Sequence, residues 1–213
     1  VYDWCKPFVD GVNPRRMLQV IKVMDKTAPS FTCPTNLSYG AGNLDCTANI
    51  ILPKVNATDN CSDFNIKILT PKGLLNSNGG EVKNLEIGDH IVTYVATDAC
   101  NNSSSCTAVV KIRDTYSPTV VCDKFTIVSL TNTGEVLVSA ESFDDGSMDN
   151  CSPITFSAKR MDRPADPFTS LIKFSCEDIG DEIMVILKVE DEEGNANSCM
   201  TPVEVQDKTA PYV

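Results

Sequence analysis

The sequence contains ten cysteines and two clusters of acidic residues, and these are the side chains whose chemistry most constrains function. Cysteine this frequent is typical of exported proteins, because reducing compartments rarely maintain disulfides. Zinc binding is disfavoured, since zinc sites favour closely spaced Cys or Cys/His pairs, and the sequence has no C-x-x-C motif and one histidine, His90. We therefore expect structural disulfides and an extracellular location, secreted or on a cell surface.

The acidic clusters ESFDDGSMDN (residues 141–150) and EDEEGN (residues 190–195) make calcium the one cofactor that the sequence suggests. Calcium takes about six to eight oxygen ligands from carboxylates and carbonyls, which such loops contain. The candidate ligands are Asp144, Asp145, Asp149 and Asp191. Their spacing is not that of an EF-hand, and Asp and Asn also favour tight turns, so solvated turn residues remain the alternative.

Catalysis is not expected from the residue types present. Asp89, His90 and the abundant serines could in principle form a Ser/His/Asp triad, but a triad needs three groups brought together in a pocket. His90 instead stands at the start of a predicted strand, where a surface histidine is the simpler interpretation. Small β modules without a cleft and convergent titratable groups rarely host chemistry, so we predict that the protein is not an enzyme.

The charge of the chain argues against two classes of partner. The net charge is -11, from 29 acidic and 18 basic residues, whereas nucleic-acid binding requires a basic face. The same balance disfavours an anionic membrane surface. No apolar run approaches the roughly 20 residues that a membrane-spanning helix needs. We therefore expect neither nucleic-acid binding nor membrane insertion.

Internal repeats organise these residues along the chain. Related seven-residue segments occur at residues 23–29 (VMDKTAP), 112–118 (IRDTYSP) and 205–211 (VQDKTAP). The motif DNCS occurs at 59–62 and again at 149–152. Landmarks that recur in the same order indicate homologous repeats. The expected organisation is a C-terminal hairpin of a preceding truncated repeat (1–24), repeat 1 (25–113), repeat 2 (114–206) and a linker into a following repeat (207–213), within a longer protein.

Each repeat has the sequence pattern of β structure. In EIMVILKVED the apolar residues alternate, which places Ile183, Val185, Leu187 and Val189 on one face of a strand. Clusters of Asn, Gly, Ser, Asp and Pro separate the short apolar runs. About seven strands in each repeat predict an all-β fold of tandem immunoglobulin-like sandwiches, with a barrel as the alternative. The prolines of the three seven-residue segments cannot continue a central strand, so these segments are predicted to be short, stiff linkers.

Six phrases of the sequence carry a resemblance to known proteins: APSFTCP, ATDNCS, VTYVATDACNNSSSC, ESFDDGSMDNCS, FSCEDIGDEIMVILKVEDEEGNANSC and VEVQDKTAP. They resemble the hyalin-repeat (HYR) and related immunoglobulin-like modules of very large surface proteins, especially those that Bacteroidota export by type IX secretion. The resemblance covers most of residues 23–211 and implies spacers, stalks or adhesin bodies. Where related modules carry ACGN this chain has ACNN, which places Asn102 instead of glycine beside the turn.

The expected sandwich topology favours some cysteine pairs. The starts of the first and last strands lie near each other in such domains, which favours Cys33–Cys106 and Cys122–Cys199. The remaining proposed pairs, one from loops that share a sandwich end and one by elimination, are Cys61–Cys100 and Cys151–Cys176. Two cysteines stay unassigned. We expect that Cys5 has lost its partner with the missing repeat, and that Cys46 is free, pairs with Cys61 instead, or bonds another chain.

The sequence therefore predicts a structural repeat segment of a large extracellular adhesin or surface filament, acting as a disulfide-stabilised stalk. The expected partners are neighbouring repeats of the same chain, further copies joined through exposed edge strands in a homo-oligomeric fibre, and an unidentified cell-surface or glycan ligand. The alternative function is a direct glycan- or protein-binding adhesion module that uses loops at one end of a sandwich.

Overall fold

The computed structural model describes residues 23–42, 44–61 and 63–208, which divide into two units. Among these residues, 23–42 and 47–113 belong to the first unit, and 44–46 and 114–208 to the second. The expectations for the hairpin of a preceding repeat, for Cys5 and for the end of the last linker fall on residues 1–22 and 209–213, which lie outside the described residues.

The first unit is built from short strands in which apolar and polar residues alternate, because successive side chains of a strand point to opposite faces. Its strands are β1 (Ser30–Phe31), β2 (Leu37–Gly40), β3 (Thr47–Leu52), β4 (Ala57–Thr58), β5 (Phe64–Thr70), β6 (Gly73–Leu75), β7 (Gly80–Glu86), β8 (Gly88–Asp98) and β9 (Ser103–Arg113).

Two layers of strands enclose the core of the first unit. Strands β2, β9, β8, β5 and β6 form one sheet in that order, and β3 pairs with β7 and β1 with β4 outside it. Alternation along β8 buries Val92, Tyr94 and Ala96 completely, whereas Ile91 is 65% exposed. The buried residues of β3 and β7 pack into the same cluster, so the core lies between the layers.

The second unit has the same kind of architecture with fewer strands. Its elements are β10 (Thr126–Ser129), β11 (Glu135–Ser139), a 3-10 helix (Ala140–Phe143), β12 (Thr155–Arg160), β13 (Leu171–Ser175), a second 3-10 helix (Cys176–Asp178), β14 (Glu182–Glu190) and β15 (Ala196–Gln206). Among the described residues we find no helix with the length and apolar character of a membrane span.

The strand order of the second unit is β10-β15-β14-β12 in one sheet, with β11 and β13 paired separately. Ile183, Val185, Leu187 and Val189 are all buried, which confirms the face that their alternation in the sequence predicted. They pack in one cluster with buried residues of β13 and of the first 3-10 helix. The second core is therefore also enclosed between two layers.

An equivalent strand pair recurs in both units. Strand β2 runs parallel to β9 with Leu37 opposite Val110, and β10 runs parallel to β15 with Thr126 opposite Val203. The other paired strands are antiparallel. Separate sheets packed across a core, instead of one closed sheet, confirm the prediction of tandem immunoglobulin-like sandwiches over the barrel alternative.

Candidate functional site

A tight turn joins the last two strands of the first unit, and an aspartate holds its shape. Asp98, the last residue of β8, accepts hydrogen bonds on Oδ1 from the backbone amides of Cys100 (2.9 Å) and Asn102 (2.7 Å). Its Oδ2 accepts from the side-chain amide of Asn102 at 2.7 Å. Short Asp and Asn side chains suit such turns because they reach backbone groups a few residues away. The Asp98 carboxylate is therefore buried, at 5% exposure, with both oxygens hydrogen bonded.

The second unit repeats this turn. Asp191 accepts from the backbone amide of Asn195 on Oδ1 and from its side-chain amide on Oδ2, both at 2.7 Å. Gly194 has φ 86° and its counterpart Asn101 has φ 67°, a left-handed conformation that glycine and asparagine tolerate better than other residues. The residue that replaces the glycine of related modules is therefore Asn101, and the sequence comparison was wrong to assign that place to Asn102.

The asparagine of each turn also contacts a joint aspartate, Asp25 or Asp114, which is the third residue of the seven-residue segment before the first strand of its unit. The side-chain amide of Asn102 donates to the main-chain carbonyl of Asp25 at 3.2 Å. The side-chain amide of Asn195 donates to the carbonyl of Asp114 at the same distance. One asparagine per unit thus ties the segment that enters the unit to the turn before its last strand.

Three carboxylates converge in the first unit, from Asp25, Asp59 and Asp98. Each has an oxygen within 4.8 Å of the others. Asp59, from the DNCS loop after β4, accepts from the backbone amide of Cys61 at 3.1 Å through Oδ2. Asp25 accepts from the Thr27 amide at 2.9 Å through Oδ1, but its Oδ2 is buried with no hydrogen-bond partner among the described residues. The arrangement offers hard oxygen ligands to a cation.

The second unit contains a partial copy of this cluster. Asp114, Asp149 and Cys151 have ligand atoms within 4.8 Å of one another, and Oδ2 of Asp114 is buried with no hydrogen-bond partner in the described part of the chain. Cys151 is in a disulfide, so its sulfur is not a thiolate and does not supply a metal ligand. Asp191, the counterpart of Asp98, is not a member of the group. Two carboxylates, instead of three, therefore converge here.

The four calcium ligands expected from the sequence do not come together. Asp144 instead closes a turn, accepting the Ser147 amide on both oxygens at 3.0 and 3.1 Å, and Asp145 is exposed. Of the four, Asp149 joins a group of three ligating side chains, whereas Asp144, Asp145 and Asp191 belong to none among the described residues. The four residues therefore form no common group among the described residues, and calcium binding by them stays a prediction. The groups that the structure does bring together combine residues from separate loops.

Two disulfides close the sandwiches. Cys33 is bonded to Cys106 with a Cα–Cα distance of 5.8 Å, and Cys122 to Cys199 with 5.9 Å. These are the two pairs that the sandwich topology favoured. Each joins the segment before the first long strand of its unit to the last strand, so each loop encloses most of the unit.

The other two expected pairs are wrong. Cys61 and Cys176 are free and exposed, Cys100 is in a disulfide with a different cysteine, and Cys46 is bonded to Cys151 with a Cα–Cα distance of 5.3 Å. The sequence-based pairing failed because it matched each assigned cysteine only with cysteines of the same sequence repeat, whereas Cys46 and Cys151 come from different repeats. The short segment 44–46, which lies in the first repeat by sequence, belongs to the second unit in the fold.

Asp89 and His90 have separate partners. Nε2 of His90 lies 2.7 Å from the carbonyl oxygen of Glu86. The Arg113 guanidinium donates to the Asp89 carboxylate at 2.5 Å, and this hydrogen bond holds the pKa of Asp89 below its usual value. A salt bridge and a main-chain hydrogen bond at a strand end therefore account for both side chains.

Arg160 is a buried charged residue that the sequence analysis did not identify. It ends β12 at 5% exposure, and its guanidinium donates to both oxygens of Asp178 (2.7 and 2.9 Å) and both of Asp162 (2.7 and 3.0 Å). Burial alone would raise the pKa of Asp178, but the hydrogen bonds from Arg160 and the Ser175 amide outweigh it and hold the pKa below its usual value. The sequence signal that could have identified Arg160 is the position of an arginine at the end of a strand with alternating apolar residues.

The fold defines the class of these units as immunoglobulin-like β-sandwiches. Residues 24–112, which are less than half of the chain, match the HYR domain. The chain is also 28% identical over 107 residues to the mouse sushi, von Willebrand factor type A, EGF and pentraxin domain-containing protein 1. The matched region is 48% of this chain and 3% of that protein, so the chain spans a small part of that relative.

Two solved structures are similar to this chain at low sequence identity. Immunoglobulin domains 1–4 of Sidekick-1 are 10% identical with a TM-score of 0.42, over 89% of this chain and 50% of that one. A three-immunoglobulin segment of titin is 11% identical with a TM-score of 0.41, over 84% of this chain and 65% of that one.

Proposed function

We propose that the chain is a structural segment of a large extracellular protein, in which tandem repeats form a disulfide-stabilised stalk. The observation that carries this proposal is the disulfide loop of each unit, with a sequence separation of 73 residues between Cys33 and Cys106 and of 77 between Cys122 and Cys199. Chain enclosed by such a loop cannot lengthen when the two ends of the unit are pulled apart. A stalk built from such units keeps its length under load.

The location and partners follow from the same features. Disulfides persist in oxidising surroundings, which supports an extracellular or cell-surface location. The proposed partners are neighbouring repeats of the parent chain and, in a fibre, further copies of it, while type IX secretion is the export route that the sequence resemblance suggests. Light scattering tests the fibre: particles that grow with concentration support it, and a strictly monomeric mass contradicts it.

Single-molecule force spectroscopy tests the mechanical role. All molecules carry Cys46→Ser and Cys100→Ser, so that the disulfides of these two residues do not limit extension. With Cys33–Cys106 intact, we expect the loop to stay closed; in the Cys33→Ser/Cys106→Ser variant the first unit should lengthen by about 250 Å more, from the 73-residue separation at about 3.5 Å per residue. The intact Cys122–Cys199 loop is the reference within the same molecule. Equal extension with and without the disulfide would contradict the proposal.

A direct binding role is the second candidate, and one observation favours it. Met148, in the DDGSMDN loop of the second unit, is 64% exposed, and flexible apolar side chains at loop tips are suited to partner contacts. Glycan and protein arrays test this role, with Met148→Ser as the variant and Met161→Ser, also exposed but outside the loop, as its control. A ligand that wild type and M161S bind and M148S does not would establish it. Failure of wild type to bind any array would reject it and leave the stalk proposal intact.

A further inference from the structure

We propose that Asp25, Asp59 and Asp98 of the first unit bind one divalent cation of the calcium class. The three residues come from separate segments of the chain. Asp25 lies in the seven-residue segment before β1, Asp59 in the loop after β4, and Asp98 at the end of β8. Their carboxylate oxygens nevertheless lie within 4.8 Å of one another. This inference does not depend on the proposed stalk function, because a cation site could serve a stalk or an adhesin equally.

The burial of Asp25 is the first argument. The residue is 8% exposed, and its Oδ2 is buried with no hydrogen-bond partner among the described residues. A buried carboxylate oxygen without a partner is costly, and two further carboxylates beside it add like-charge repulsion. A bound cation removes both costs, because it satisfies the orphaned oxygen and offsets the negative charge of all three groups.

The ligand chemistry selects the kind of cation. The cluster contains carboxylate oxygens and neither imidazole nor thiolate, which favours hard cations over zinc or copper. Asp98 already accepts hydrogen bonds on both oxygens from Cys100 and Asn102, so its carboxylate is held in place before an ion arrives. Each carboxylate oxygen has a second lone pair with which it can coordinate a cation.

The second unit serves as an internal comparison. The joint aspartate Asp114 also has a buried Oδ2 with no hydrogen-bond partner in the described part of the chain, and Asp149 lies beside it. The third member there is Cys151, whose sulfur is in a disulfide, and Asp191 stays outside the group. We therefore expect the first unit to contain the tight site, because calcium affinity increases with the number of charged ligands.

Isothermal titration of CaCl2 into the metal-free protein tests the proposal. We expect wild type to show one saturable site that loses at least tenfold in affinity in Asp25→Asn and in Asp59→Asn. Both variants keep the shape of the side chain and remove one charge. Asp145→Asn is the matched control, since it removes the same charge from an exposed aspartate outside the cluster and should leave the titration unchanged.

Thermal unfolding supplies a second readout that a purely structural role would not produce. In EDTA the Asp25→Asn variant should melt at the same temperature as wild type or above it, because one of three repelling carboxylates is gone. In millimolar calcium the order should reverse, because the variant has lost a ligand. Absence of saturable calcium binding by wild type, or equal binding and equal melting shifts in wild type, D25N and D59N, would overturn the proposal.

Discussion

The side-chain amide of Asn102 bridges the carboxylate of Asp98, at 2.7 Å, and the main-chain carbonyl of Asp25, at 3.2 Å. Asn195 bridges the second turn and the second joint aspartate at the same two distances. Because both distances are the same in the two units, the bridge is a feature of the repeat and is not a chance contact. It attaches the chain that enters each unit to the turn before the last strand.

Asn102→Ala should lower the free energy of unfolding by about 1–3 kcal/mol, because it removes two side-chain hydrogen bonds, one to a buried carboxylate. Urea denaturation followed by circular dichroism measures the change. Asn101→Gly is the control, since its φ of 67° suits glycine and its change should stay within about 0.5 kcal/mol. If the two variants lose the same stability, the bridge contributes nothing.

Removal of the first disulfide, in Cys33→Ser/Cys106→Ser, should cost about 4 kcal/mol, because a loop of this length strongly restricts the unfolded chain. The exposed free cysteines provide controls, and Cys61→Ser and Cys176→Ser should each change stability by less than about 0.5 kcal/mol. Non-reducing peptide mapping should recover the fragment pair Cys46–Cys151 and no Cys151–Cys176 pair. Recovery of the latter would contradict the disulfide pattern of the structure.

The Arg160–Asp178 pair predicts how the second unit responds to acid. The pKa of Asp178 is held below the usual 3.8, against the effect of its burial, by the hydrogen bonds from Arg160 and Ser175. As the pH falls, Asp178 therefore takes up a proton more readily in the unfolded chain than in the folded one. The stability that ionised Asp178 contributes is full well above pH 3.8 and is lost as the pH falls through the lower pKa of the folded state. Urea unfolding from pH 7 down to about pH 2 should show this loss, and Asp178→Asn should flatten it.

At neutral pH, Asp178→Asn should also destabilise by about 3 kcal/mol, because it leaves the buried guanidinium with one carboxylate. Asp162→Asn is the matched control, since the Asp162 side chain is half exposed at 50% and its loss should cost less. An acid response that is identical in wild type and D178N would show that other groups govern it.

Tyr94 predicts an alkaline response of the first unit. Its hydroxyl donates to the carbonyl of Pro53 at 3.0 Å, and burial, followed by the charge of Tyr39, raises the pKa of Tyr94 to about 12 from 10.0. A raised folded pKa means that this stability is full below pH 10 and is lost as the pH rises towards 12. Unfolding measured across this range should show the loss in wild type and a shallower one in Tyr94→Phe, with Tyr116→Phe, an exposed tyrosine of the second unit, as control. Parallel curves for Y94F and wild type would exclude Tyr94 as the cause.

The strands, the tandem sandwiches and two disulfides could be predicted from the sequence because their signals are local or repeated. The alternation that buries Val185 and Leu187 is a property of neighbouring residues in an extended chain, so it needs no knowledge of the rest of the fold. The pairs Cys33–Cys106 and Cys122–Cys199 follow once a sandwich is assumed, since its first and last strands are neighbours. The recurrence of these landmarks in both repeats strengthened each inference.

The remaining features depend on which loops meet, and that is decided by packing in three dimensions. Asp25, Asp59 and Asp98 are far apart in the chain and share no spacing motif, so only the closed sandwich reveals that their carboxylates converge. The same reason explains why the acidic clusters of the sequence did not indicate this group and why Cys46 was left unassigned. The alternation of side chains determined the sandwiches, whereas the contacts between distant loops determined the candidate cation site.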